Sequence, residues 1–152
     1  MCIRDRLPGI RMAVLAVLFA SRTLSQVNEP TEGVRLFDSY CSACHQYDDQ
    51  GMGDAPPLDN SPWVVGPAER LVRIVLHGVR GRIEVDGKEY DREMPGFGGT
   101  LSDAQVASLV TYTRARFGSD GGPVEAYEVA RVRKDNEGRT AYWSASELLE
   151  IR

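Results

Sequence analysis

The sequence predicts a mostly α-helical chain of 152 residues, with three principal helices, one small β-hairpin and a C-terminal extension. Three observations carry that prediction. Apolar residues recur at helical spacing in two separate stretches, Gly33, Leu36, Phe37 and Tyr40 in one and Val106, Leu109, Val110, Thr113 and Phe117 in the other. A third stretch opens at Gly66-Pro67, closes at Gly78 and carries Leu71, Ile74 and Val75 on one face. The clearest strand signal is Asp86-Gly87, flanked by the short arms Ile83-Glu84-Val85 and Lys88-Glu89-Tyr90.

Taken in order, Thr31 is positioned to cap a first helix running through Cys41, and Gly33 on its apolar stripe would let another helix come close. Residues 47–62 read as loop, because Gly51, Gly53, Asp54, Pro56 and Pro57 disfavour regular structure. In the second helix Pro67 suits the first turn and Glu69 complements the positive helix end. Met94-Pro95-Gly96-Phe97-Gly98-Gly99 reads as a glycine-rich loop whose backbone could approach a bound group. Ser102 and Gln105 form a capping box, and Leu101 with Val106 a hydrophobic staple, for a helix that Gly118 ends. Residues 119–123 read as linker and 124–132 as weakly alternating, extended chain. Ser144 and Glu147 form a second capping box opening a short helix through Leu148, Leu149 and Ile151, and Trp143 packs this tail back onto the domain.

Residues 1–25 read as a secretory signal. Arg11 precedes an apolar run, residues 12–20, that is too short to span a bilayer, and Thr23 and Ser25 are small residues near a cleavage point before Gln26. The competing reading is an uncleaved segment that keeps the chain at a membrane. Residues 1–6 resemble a translated sequencing adapter, so Cys2 is assigned no role. The organisation expected is a signal over 1–25, a main domain over 26–118 and an extension over 119–152. The first 25 residues hold four of the 18 basic and one of the 22 acidic side chains, leaving 14 against 21 and a net charge of −7. With Lys88 and Lys134 the only lysines, no nucleic-acid-binding surface is indicated.

The chemistry lies in Cys41-Ser42-Ala43-Cys44-His45, the C-x-x-C-H pattern of covalent haem attachment. Cysteines three apart on a helical turn face one side, where both sulfurs can form thioethers with the vinyl edges of a haem. The histidine that follows can turn under the iron as proximal ligand. A zinc site needs four ligands, usually two cysteine pairs or a Cys pair and a His pair, and beside this one Cys pair the chain has only the histidines His45 and His77. A thioredoxin-like redox pair would need a βαβ setting. Haem c and its iron are therefore the expected cofactors, and haem c is attached outside the cytoplasm in bacteria, in keeping with a signal.

For the sixth iron ligand Met94 is the leading candidate, a soft neutral thioether on a loop stiffened by Pro95. His77 is a second candidate, and an open or water-bound iron a third. Met52 lies too near His45 to cross the haem easily. The carbonyl of Pro56 or Pro57 is a candidate acceptor for the free N–H of His45. Trp63, Tyr90, Phe97 and Tyr112 are candidates for the haem wall, and Arg80 and Arg82 for its propionates, although for each a plain core or solvated role is also open.

The ordered set Gly33-x-x-Leu36-Phe37-x-x-Tyr40, Cys41-x-x-Cys44-His45, Pro56-Pro57-Leu58, Met94-Pro95, Leu101-Ser102-Asp103 and Thr111-Tyr112 resembles class I cytochrome c domains, over about residues 31–118. The resemblance implies a cytochrome c fold in which the first and last helices cross near Gly33, Phe37 and Tyr112. It implies Pro57 as the acceptor of the proximal histidine's hydrogen bond, and His45 and Met94 as iron ligands. Gln46 stands where glycine is common. The stretch from Gly81 to Phe97 looks like cytochrome domains serving periplasmic dehydrogenases.

The expectation is thus a periplasmic or otherwise exported electron carrier with no catalytic residues, whose partners are a dehydrogenase and an electron acceptor of a respiratory chain. The alternative is a haem enzyme, or a gas or peroxide sensor, in which the sixth ligand leaves.

Overall fold

A computed structural model describes residues 31–45, 55–118 and 121–152. The signal-like segment, Gln46 and Met52 lie outside the described residues. Among the described residues, seven helices and two two-stranded ladders follow one another as α1 (Glu32–Tyr40), α2 (Ser42–His45), α3 (Pro62–Val65), α4 (Ala68–His77), β1 (Gly78–Val79), β2 (Arg82–Val85), β3 (Lys88–Asp91), β4 (Met94–Pro95), α5 (Asp103–Arg116), α6 (Ala126–Asp135) and α7 (Ala145–Leu149). Among the described residues no helix is long and apolar enough to cross a membrane.

Helix α5 is the centre of the fold. Its apolar positions Val106, Leu109 and Val110 are buried together with Phe37 of α1, Val72 and Val75 of α4, and Val129 and Val132 of α6. Ser102 and Gln105 close the capping box at its start. Where α1 crosses α5, a Cβ on Gly33 would sit 2.5 Å from both the Ser108 carbonyl oxygen and the Tyr112 Cβ, so only glycine lets the two backbones meet. Phe37 fills the space beside that crossing, with its ring centroid 5.6 Å from Tyr112 and 5.5 Å from Phe117.

The hairpin β2–β3 turns on Asp86 (φ 51°) and Gly87 (φ 74°) and pairs Ile83 with Tyr90. Two consecutive positive φ values make the tight turn whose twist suits a hairpin.

Four elements differ from the sequence expectation. Thr31 precedes α1 without a side-chain cap bond, and the helix stops at Tyr40. Residues 62–65, placed in loop or unassigned from sequence, form α3, which Ser61 caps with Pro62 in the first turn. Residues 124–132, expected as extended, enter helix α6; Glu125 and Glu128 build its capping box from two carboxylates, a less familiar start signal than Ser or Thr. The ladder β1–β4 had no local signal, since it joins residues some 16 apart through the pairs Gly78–Pro95 and Val79–Met94.

The C-terminal residues are part of the same core. Trp143 N–H donates to the Gly78 carbonyl (3.1 Å) and the Trp143 carbonyl accepts from Arg80 N–H (2.9 Å), so Trp143 bridges the edge of Val79 opposite Met94. The buried Arg70 guanidinium donates to the carbonyls of Leu148 (2.9 Å) and Ile151 (3.0 Å), fastening α7 to α4.

Candidate functional site

The haem motif lies where α1 ends. Cys41 is the C-cap of α1, and its carbonyl accepts from the backbone N–H groups of Cys44 (3.1 Å) and His45 (2.9 Å). This single turn sets Cys41, Cys44 and His45 along one wall of a cavity of about 370 Å³. Cys41 is half-buried and Cys44 exposed. Burial, and then the neighbouring Cys44, push the Cys41 thiol up to about 12. Among the described residues no group of three or more His, Cys, Asp or Glu is placed to hold a metal ion.

His45 Nδ1 lies 3.0 Å from the carbonyl oxygen of Pro56. A carbonyl only accepts, so Nδ1 carries the proton and Nε2 keeps its lone pair for a metal. The resemblance pointed to Pro57, and the structure corrects this to the preceding residue. Pro57 restricts Pro56 to extended conformations, which limits where the Pro56 carbonyl can point, and Pro57 itself lines the cavity.

Met94 lines the same cavity, held in β4 against Val79. Trp63, Tyr90 and Phe97 also line it; Trp63 is fixed by its indole N–H donating to the Glu84 carbonyl (3.1 Å), and Phe97 by an edge contact with Tyr40 (5.5 Å). Leu71, Ile74 and Val75 of α4 and Leu109 and Thr113 of α5 supply walls that sequence reasoning had taken as ordinary core. Their helical periodicity was visible, but nothing in it separates a helix face that packs on protein from one that packs on a cofactor.

Four expected participants lie elsewhere. Tyr112 is not among the cavity residues; its ring packs on Phe37 in the α1–α5 crossing, one side of α5 away from Leu109 and Thr113. His77 is also outside the cavity, with its ring edge-on to Trp143 at 6.4 Å. Arg80 and Arg82 pair with Glu93 and Glu89, and Arg92 is the arginine that lines the cavity.

The glycine-rich loop has a different purpose from the one its composition suggested. Phe97 N–H donates to the Val75 carbonyl (2.8 Å) and Gly98 N–H to the Leu76 carbonyl (2.9 Å), satisfying two carbonyls of the last turn of α4. A Cβ on Gly96 would lie 2.5 Å from the His77 backbone, and one on Gly98 2.7 Å from the Leu76 oxygen. These two glycines thus serve a close approach to a helix end rather than to a bound group.

Two thiols, a histidine oriented through its Nδ1 and a thioether, lining one largely apolar cavity, fit haem c. That donor set and the small helical fold define a c-type cytochrome. The comparison agrees, since residues 28–112 match the family described as "Cytochrome C oxidase, cbb3-type, subunit III", and the chain belongs to this c-type cytochrome family, whose members carry covalently bound haem c with its iron. It is 30% identical over 112 residues to cytochrome c-552 of Thermus thermophilus, covering 67% of this chain and 84% of that protein. It is 32% identical over 122 residues to the gluconate 2-dehydrogenase cytochrome c subunit of Pantoea cypripedii, covering 76% of this chain and 27% of that one. It is 26% identical over 125 residues to the cbb3-type cytochrome c oxidase subunit FixP of Bradyrhizobium sp. (strain ORS 278), covering 75% of this chain and 41% of that one. The chain thus spans well under half of the two complex-subunit relatives. Cytochrome c electron transfer is the activity of the family.

Proposed function

We propose that this protein is an exported electron carrier in which His45 and Met94 occupy the two axial positions of the haem iron, passing electrons between a dehydrogenase and a respiratory chain. The observation that carries the reading is that Met94, the only methionine among the described residues, lines the same cavity as Cys41, Cys44 and His45. On this reading residues 1–25 direct export, residues 26–118 hold the haem and residues 119–152 form the extension. The relatives named for a dehydrogenase subunit and an oxidase subunit support the two ends of the relay.

When bound, haem c supplies a one-electron Fe(III)/Fe(II) couple that His/Met ligation tunes to high potential. The chain's own residues do the remainder. The Pro56 carbonyl fixes the His45 tautomer and ring plane. Cys41 and Cys44 supply covalent attachment. Pairing of β4 with β1 holds the Met94 backbone at the cavity edge. Trp63, Tyr90 and Phe97 give the cavity an apolar, aromatic wall. His45 and Met94 would hold the iron between them, and the exposed Cys44 would place the attachment point of the group at the surface, where a redox partner could approach it.

The test is the visible spectrum of purified wild type and Met94→Ala. Both are expected to give a reduced c-type spectrum, and the weak long-wavelength iron–sulfur band is expected only in oxidised wild type. Survival of that band in Met94→Ala would overturn the ligand assignment.

A further inference from the structure

The segment bearing Met94 is gripped from the C-terminal side at both of its ends. Upstream, Glu93 accepts hydrogen bonds from the Tyr142 hydroxyl and the Arg80 guanidinium. Trp143 meanwhile completes a three-strand array in which Val79 lies between Met94 and Trp143. Downstream, one guanidinium of α6 collects the end of the loop: Arg133 donates to the carbonyls of Gly98 (2.6 Å) and Leu101 (3.0 Å) and pairs with Asp103 (2.7 Å). Between these anchors Phe97 and Gly98 are bonded to the end of α4.

We propose that Arg133 and Tyr142 are positioning residues for the distal iron ligand: by pinning the two ends of residues 93–101 they set how readily Met94 leaves the iron. This rests on the reading of Met94 as that ligand. The physical argument concerns local opening. Exchange of a protein ligand for an external one requires the ligand-bearing segment to detach, and its rate follows the population of the detached state. Detaching residues 93–101 breaks the bonds from Arg133 to two carbonyls and the exposed bond from Tyr142 to Glu93, and leaves a multiply bonded guanidinium without its acceptors. Neither side chain lines the cavity, so each acts through the backbone that carries Met94. Arg133 also explains a feature of the tail: α6 is set so that one side buries Val129 and Val132 while Arg133 reaches the loop.

The experiment uses the holoprotein and measures the rate of imidazole binding to the oxidised form, with the iron–sulfur band recorded beforehand. Arg133→Gln is expected to bind imidazole roughly tenfold faster than wild type, and Tyr142→Phe, which loses one exposed hydrogen bond, roughly threefold faster. The double variant is expected near the product of the two, and Arg133→Lys should recover part of the loss. Val132→Ala, a cavity-forming change in the same helix, should lower the melting temperature and leave the imidazole rate at the wild-type value. Wild-type rates in both Arg133→Gln and Tyr142→Phe, or an acceleration no greater than that of Val132→Ala, would overturn the proposal. Tyr142→Phe removes only an exposed hydroxyl, so the test stands even where Arg133→Gln fails to fold. A Met94→Ala protein that loses the band and binds imidazole fast, beside unaltered tail variants, sinks the positioning role alone. A wild type with no band, matched in rate by Met94→Ala, sinks the Met94 reading and this proposal together.

Discussion

His45 Nδ1 and the carbonyl oxygen of Pro56 lie 3.0 Å apart, and Pro57 is what keeps that carbonyl facing the ring. The acceptor draws on the N–H and makes Nε2 a better donor, which favours the oxidised iron. Replacing Pro57 by glycine frees Pro56 to rotate. The midpoint potential of Pro57→Gly is expected to rise by about 40 mV, the one-electron equivalent of about 1 kcal/mol of net hydrogen bond. Spectroelectrochemical titration measures it, and an unchanged or lower potential would count against the orienting role.

Gly33 is the point of closest approach of α1 and α5. Ala at this position drives a methyl into the Ser108 carbonyl and the Tyr112 side chain, both on a helix that is buried on several sides and cannot retreat. The cost of such overpacking is about 1–3 kcal/mol, measurable by urea denaturation of the haem-loaded protein. Because the Phe37 ring borders the cavity from this crossing, the visible spectrum should broaden as well.

His77 sits among cations. Burial first, then Arg139, Arg133 and Arg73, hold its pKa below the ordinary value, and its Nε2 is buried without a hydrogen-bond partner. The folded protein therefore binds a proton at His77 less readily than the unfolded chain does. Its stability falls as pH drops from about 6.5 toward the lower folded value. His77→Gln should flatten that part of the stability–pH curve and leave the oxidised and reduced spectra unchanged, because the side chain lies away from the cavity. A changed spectrum would restore His77 as an iron ligand.

Glu147 acts in a different window. Its carboxylate accepts from the Ser144 N–H and hydroxyl and pairs with Arg139, which lowers its pKa to about 2. A depressed acid contributes stability above its unfolded value of about 4.5, and loses it as pH falls toward 2. The group is on the surface, so the contribution is modest and screened by salt. Glu147→Gln should melt slightly below wild type at pH 6, with the gap closing as the pH is lowered to 3.

The haem motif, the two long helices and the Asp86-Gly87 turn were legible because each is written within a few adjacent residues. What the sequence left hidden depends on partners far along the chain. The pairing of Val79 with Met94 and Trp143 has no local signature, and so nothing in the sequence ties the C-terminal residues to the segment that bears Met94. Helix α6 was read as extended because its valines also fit an alternating pattern, and because its start is capped by glutamates. Tyr112 was legible as an aromatic of the last helix, but which side of that helix faced the cavity could be decided only by the angle at which α1 and α5 cross. Pro56 and Pro57 were indistinguishable by composition, since the choice between them is a matter of carbonyl direction.

The two cysteines of the motif differ in exposure, Cys44 open to solvent and Cys41 half enclosed, while α6 covers the far side of α4 and α5. The molecule therefore has a front and a back. A partner resting against the Cys44 side touches the attachment point directly, whereas one resting on α6 is held off by a full helix layer, about 8–10 Å. On the proposed reading, the orientation of a partner at docking sets how far it lies from the attachment point. Substitutions at the exposed Tyr127 or Lys134 on the back should leave exchange rates unaltered, and bulky ones beside Cys44 should not.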